Sequence, residues 1–180
     1  MILFVGEATN RAGDGRWLHI YLLARALEEG PLYRRNPRAW LRQTLKGEHG
    51  WLARRLVVSQ QVNLLPEWPG GDARGSKFPV REARSWAAVL AVSIAHDYSF
   101  DDSRVSLATR VVLVGKRVAG AFDAAVFPYF TGYRIVHVGL PAMTFPHPSG
   151  VNHYWNAPGS AGNALRALES FLQVPPGEDF

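Results

Sequence analysis

Along this chain, short apolar runs that stop at glycine or turn polar alternate with longer stretches of helical spacing. Ile2-Leu3-Phe4-Val5 is an unbroken apolar run ending at Gly6, and a polar, Gly-rich loop follows from Glu7 to Gly15. From Trp17 to Leu27 the apolar residues Trp17, Leu18, Ile20, Leu23 and Leu27 show helical spacing, and Gly30 and Pro31 read as the C-cap and breaker of that helix. Pro37 to Arg55 is Arg-rich, carries Trp40 and Trp51, and predicts one or two short helices. Leu56 to Leu65 opens apolar, turns polar at Ser59-Gln60-Gln61-Val62-Asn63, and is the second strand candidate.

Pro66 to Gly71 is a stiff turn, followed by a polar stretch to Lys77. Val80 to Ala95 places Val80, Ala83, Trp86, Ala87, Leu90 and Ile94 along one face of a second long helix. Arg110 to Gly115 predicts a buried strand that passes at once into a helix over Lys116 to Phe122. A fourth strand is expected at Arg134 to Leu140. Pro141 to Pro158 reads as a long loop rich in Pro, His, Asn and aromatics. Ser160 reads as the N-cap of a closing helix over Ala161 to Leu172, with a tail over 173–180.

Strands and helices in alternation, with short apolar strands bounded by glycine, predict an α/β domain built on a parallel sheet covered by helices on both faces. In such sheets ligands sit at the carboxyl ends of the strands, where the loops after Val5, Leu65 and Leu140 leave. The length of 180 residues fits one domain spanning the whole chain.

The composition narrows the chemistry. Hydrophobic residues make up 47%, which excludes disordered and low-complexity classes. With no Cys, the chain has no disulfides, thiolate zinc sites, cysteine-ligated clusters or Cys nucleophile. No apolar run approaches the roughly 20 residues of a membrane span, and the first apolar run lacks a basic leader segment, so a cytoplasmic protein is expected. The net charge is +5, and 17 of the 20 basic residues are Arg. That excess fits a nucleic-acid partner, and it equally fits an Arg-rich codon preference.

Three constellations could carry chemistry. Gly6-Glu7-Ala8-Thr9-Asn10 puts a carboxylate at a strand end, a position for a general base or water-positioner and equally for a solvated loop residue. Pro146-His147-Pro148-Ser149-Gly150-Val151-Asn152 holds His147 between two prolines, which suits a donor aimed at a developing anion; a lone His is also commonly structural. Gln60, Gln61 and Asn63 bring carboxamides whose donor and acceptor edges match a base edge, and they also fit the polar end of an edge strand. His147 and His153 have no third partner at metal-ligand spacing, and no P-loop, dinucleotide fingerprint or Ser nucleophile elbow is present.

Taken together and in this order, Gly6–Asn10, Val57–Leu65, Val111–Phe122 and His147–Val151 resemble the motifs of the uracil-DNA glycosylase superfamily, over nearly the whole of Met1 to Leu172. The resemblance implies a three-layer α/β/α sandwich around a central four-stranded parallel sheet, and a monomer that flips a base out of DNA and hydrolyses its N-glycosidic bond. It implies that Glu7 positions water or stabilises the sugar cation, and that His147 hydrogen-bonds the departing base. Trp17 would then stack on the base, with Gln60, or Gln61 or Asn63 in a shifted register, reading its edge. Val151 would fill the vacated stack; Ser149, Gly150 and Asn152 would meet phosphates, and the loop around Lys77 would press on the DNA backbone.

The sequence departs from the family in four informative places, one being a Gln, Gln60, where the family has its base-reading Asn. Cysteine is absent, so no iron–sulfur cluster is expected, and no other cofactor is implied. Thr9 stands for the usual Pro, and Asn10 stands where uracil-specific members carry a Tyr that blocks pyrimidine C5. A polar residue at that wall implies a C5-modified, phage-type pyrimidine as substrate in antiphage defence, with uracil or damaged-base repair as the alternative. A catalytically silent DNA-binding member is the remaining one.

Overall fold

The computed structural model describes residues 2–7, 17–66, 71–72, 75–76, 78–99, 110–124, 127–136, 138–149 and 152–173. In chain order its elements are β1 (Ile2–Gly6), α1 (Leu18–Ala26), α2 (Gly30–Arg35), α3 (Pro37–Thr44), α4 (Gly50–Val57) and β2 (Gln60–Asn63). There follow β3 (Gly71–Asp72), β4 (Gly75–Ser76), α5 (Val80–Ser99), β5 (Arg110–Val114) and α6 (Lys116–Ala121). The chain closes with β6 (Gly132–Arg134), β7 (Pro141–Phe145), a 3₁₀ turn (His153–Asn156) and α7 (Ser160–Leu172). They fall into two compact units, Met1–Gly15 with Gln60–His147, and Arg16–Ser59 with Pro148–Phe180.

The first unit is α/β, built on a five-stranded mixed sheet in the order β2-β1-β5-β7-β6. β1 pairs in parallel with β2 and β5, β5 pairs in parallel with β7, and β6 runs antiparallel to β7 at the edge. β1 and β5 sit in the middle, which is why both read as near-continuous apolar runs: Phe4, Val5, Val111, Val112, Leu113 and Val114 are fully buried. Leu3, Val5, Val111 and Leu113 lie in one apolar cluster with Ala83, Ala87, Ala91 and Ile94 of α5 and Val118 and Ala119 of α6. Small alanines along the buried stripe of α5 let that helix approach closely. Leu113 is wholly enclosed, so Leu113→Ala is expected to lower unfolding free energy by about 2–5 kcal/mol, read from a urea titration.

The second unit is helical. Its α1 packs against α7, α2 and α4. Tyr21 stacks on Tyr33 at 5.2 Å, Tyr33 meets Trp40 edge-on at 5.4 Å, and the Trp40 indole N–H donates to Glu29 at 2.6 Å.

Four expectations are corrected. The sheet has five strands rather than four and is mixed rather than parallel: the segment expected as the last strand, Arg134–Leu140, is mostly a reverse turn, with antiparallel β6 and β7 on either side of it. Gly139 N–H donates to Ile135 O at 2.9 Å, Ile135 N–H donates to Leu140 O at 3.0 Å, and Gly139 takes φ +68. Ile135 and Leu140 are apolar because they anchor that turn in the core, while β7 lies in the stretch read as loop. Pro141 begins β7, where its missing N–H costs no central ladder bond. Leu56 and Val57 end α4 rather than open β2. Gly30 and Pro31 start α2 instead of only stopping α1, since a proline in a first turn has no N–H to leave unmatched. Gly159, at φ +76, caps α7, and Ser160 is its buried first residue.

Candidate functional site

Three parallel strands end side by side in the first unit, and each delivers one element of the site. Glu7 follows β1, Gly115 follows β5, and His147 stands two residues beyond β7. Parallel pairing stacks Val5 beside Leu113 and Leu113 beside Thr144, so these three exits share one edge.

Glu7 is held from both sides. Its backbone carbonyl accepts from Leu65 N–H at 2.9 Å, extending the β1–β2 ladder past Gly6 and Asn63. Its carboxylate Oε1 accepts from Arg117 Nη1 at 3.2 Å. Arg117 lies in the first turn of α6, and its guanidinium sits over the Phe78 ring at 5.7 Å. Both partners of the ion pair are partly exposed, with side-chain accessibilities of 47% and 23%. Such a pair contributes about 0–1 kcal/mol to stability. Its consequence is orientation: a forked cation and a flat ring fix where the carboxylate points.

His147 lies between buried Pro146 and Pro148. Gly115 stands next to it. At φ +98 that backbone is closed to ordinary side chains, and a Cβ there would sit 3.5 Å from the His147 Cβ. Burial pushes the His147 pKa below the usual histidine value by disfavouring the charged ring, and the negative charge of Glu7 pulls it partly back. The carboxylate and the imidazole are therefore within electrostatic reach across the Gly115 exit. Beside them, the Tyr133 hydroxyl and Thr144 Oγ1 lie 3.1 Å apart, and burial pushes the phenol up to about 12 against the opposing effect of that hydrogen bond.

The register separates the three carboxamides. Gln60 pairs with Leu3, Gln61 with Phe4 and Asn63 with Gly6. Gln60, the first choice as base reader, is exposed at the amino end of β2, far along the strand from Glu7. Asn63 is the carboxamide at the carboxyl edge. Val62 packs into the cluster with α5, so strand alternation turns Gln61 and Asn63 to the other face of the sheet.

Trp17, Ser149 and Asn152 belong to the helical unit. Trp17 is the exposed residue that precedes α1 in the helical unit, where Ser149 is half-buried. Asn152 caps the 3₁₀ turn: its Oδ1 accepts from Tyr154 N–H at 3.0 Å, and its N–H donates to Ser149 O at 3.2 Å. Asn10, Lys77, Gly150 and Val151 lie outside the described residues. Among the described residues no group of three or more His, Cys, Asp or Glu could hold a metal ion, and no helix is long and apolar enough to cross a membrane.

Arg117 is the site residue that sequence reasoning missed. The signal available was its place, two residues past the glycine that ends an apolar strand, where helix and strand ends meet the ligand side of a parallel sheet. An arginine two residues after such a glycine is common enough that only the 3.2 Å contact singles it out.

No protein-family model matches the chain, and no curated protein matches it in sequence.

Proposed function

We propose that this protein is a monofunctional DNA glycosylase of the uracil-DNA glycosylase type, a three-layer sandwich in which the parallel strands β2, β1, β5 and β7 carry the antiparallel β6 at one edge. It hydrolyses the N-glycosidic bond of a pyrimidine turned out of the DNA stack. One observation carries the reading: Glu7 and His147, 140 positions apart in the chain (147 less 7), share one strand-end edge within electrostatic reach.

The chemistry follows from what each group can do. Breaking the bond between the base nitrogen and sugar C1′ leaves the electron pair on the base and positive charge on the sugar. Glu7, aimed by Arg117, stabilises that cation and orients the water whose oxygen forms the new bond to C1′. His147, kept neutral by burial, donates one ring N–H to the base oxygen as anionic charge grows. Asn63 is the better placed carboxamide to read the base edge, since it ends β2 beside Gly6.

This assignment of the reader has a direct check. Asn63→Ala is expected to slow base release by roughly 10- to 100-fold, the value of one paired base-edge contact, whereas Gln60→Ala leaves the rate within about twofold. The reverse order in single-turnover kinetics would return the role to Gln60.

The substrate is a C5-modified pyrimidine, hydroxymethylated or glycosylated, of the kind installed in phage DNA, on the ground that Asn10 replaces the blocking Tyr. The deciding experiment is mass spectrometry of bases freed from plain, uracil-containing, oxidised and phage-modified DNAs. Release from modified DNA alone supports defence, and release of uracil supports repair. No free base from any of them overturns the glycosylase reading.

A further inference from the structure

A group of aromatic rings lies on the same edge of the sheet as Glu7 and His147, and that pair makes no use of it. Because β6 is antiparallel to β7, with Gly132 opposite Met143, the residues leading into β6 lie beside the carboxyl end of β7. Phe130 N–H donates to Thr144 O at 3.0 Å, and its ring meets the buried Phe145 ring edge-on at 5.1 Å. Thr131 N–H closes a turn onto Pro128 O at 3.3 Å, with Phe130 at φ +66, a backbone conformation that aromatic residues rarely adopt. The packing of Phe130 on Phe145 holds that turn.

Of the neighbouring rings Phe127 is exposed, while Tyr129 and Tyr133 are half-buried. Phe127 stacks on Tyr133 at 5.1 Å with their planes 7° apart, and Phe127 remains 40% exposed, so its outer face meets solvent. Lys116, the first residue of α6, holds its ammonium 5.3 Å from the centre of the Tyr129 ring. Arg117 follows it in the same turn but is turned to Glu7 and the Phe78 ring, so Lys116 is the cation that the contacts place at these rings.

An exposed flat apolar face close to a cation suits a single strand of nucleic acid. Bases of a single strand stack on rings whatever their identity, while a cation meets the phosphate between them. We propose that this aromatic and cationic shelf binds single-stranded DNA next to the nucleotide gripped at Glu7 and His147. Phe127 carries one unstacked base, and Tyr129 with Lys116 holds the adjoining phosphate. The position of the gripped nucleotide rests on the glycosylase reading; binding of the strand does not.

The test is fluorescence anisotropy of a labelled single-stranded oligonucleotide with the full chain carrying Glu7→Gln, so that no substrate is consumed. Phe127→Leu keeps apolar bulk against Tyr133 but removes the ring face. It is expected to weaken binding about tenfold, the value of one base–aromatic stack, with an unchanged circular dichroism spectrum. Lys116→Ala is expected to weaken binding and to flatten its salt dependence by about one phosphate contact. Parent-like affinity in both variants, or no binding by the parent chain, overturns the proposal. Parent-like variants alongside base release by the wild-type chain sink the shelf alone. Weakened variants with no base released from any DNA sink the glycosylase reading and leave the shelf standing.

Discussion

Glu7→Gln is expected to leave a folded protein that still binds DNA and releases base about 10²–10⁴-fold more slowly. The substitution keeps the shape of the side chain and removes its charge. A carboxamide neither stabilises a sugar cation nor accepts a proton from water. The local structure has other supports: the backbone carbonyl at this position is held by Leu65, and the lost pair with Arg117 is partly exposed, so stability changes by no more than about 1 kcal/mol. Single-turnover kinetics beside a thermal melt separates the two effects. A Glu7→Gln enzyme that cuts at the wild-type rate would remove Glu7 from the chemistry.

His147→Gln is expected to slow base release by about 10²–10³-fold, the loss of one donor aimed at a developing anion. The histidine also leaves a mark on stability, and its sign is fixed by the direction of its shift. The folded pKa lies below the ordinary value near 6.5, so above that pH both folded and unfolded chains carry a neutral ring and the group has no effect. As pH falls through 6.5 the unfolded chain takes up the proton first, so the folded state loses stability until pH passes its own lower pKa, below which the loss stays constant. Urea midpoints at pH 7.5 and 5.5 should therefore fall further in the wild type than in His147→Gln. An equal fall in both would show that this imidazole titrates as a free one.

Much of the architecture was legible in local pattern. The central strands β1 and β5 announce themselves as unbroken apolar runs because both faces of each are buried. The helices α1, α5 and α6 start within one residue of where spacing puts them. The strand that carries His147 was not legible. Pro141-Ala142-Met143-Thr144-Phe145 opens on a proline and mixes polar with apolar residues, whereas the turn before it, with Ile135, Val136, Val138 and Leu140, looks more strand-like than the strand. There tertiary anchoring, not pleating, set the residue types.

Candidate chemistry divides along the same line. Glu7 and His147 are visible as residue types on strand-end loops, since a carboxylate after Gly6 and a histidine between prolines are properties of neighbouring positions. Which of Gln60, Gln61 and Asn63 belongs at the site is a matter of register, and a shift of one residue changes both the face and the distance along the strand.

The order of residues by itself determined the α/β class, the central strands, the long helices and the two ionisable groups, because each depends on contacts spaced two to four positions apart. Only tertiary structure decided that β6 and β7 form the sheet edge, that Asn63 rather than Gln60 ends beside Glu7, and that Arg117 reaches Glu7 across 110 positions of chain. Those outcomes depend on which strand lies beside which and in what register, and pairing energy is shared among residues that no short window of sequence contains together.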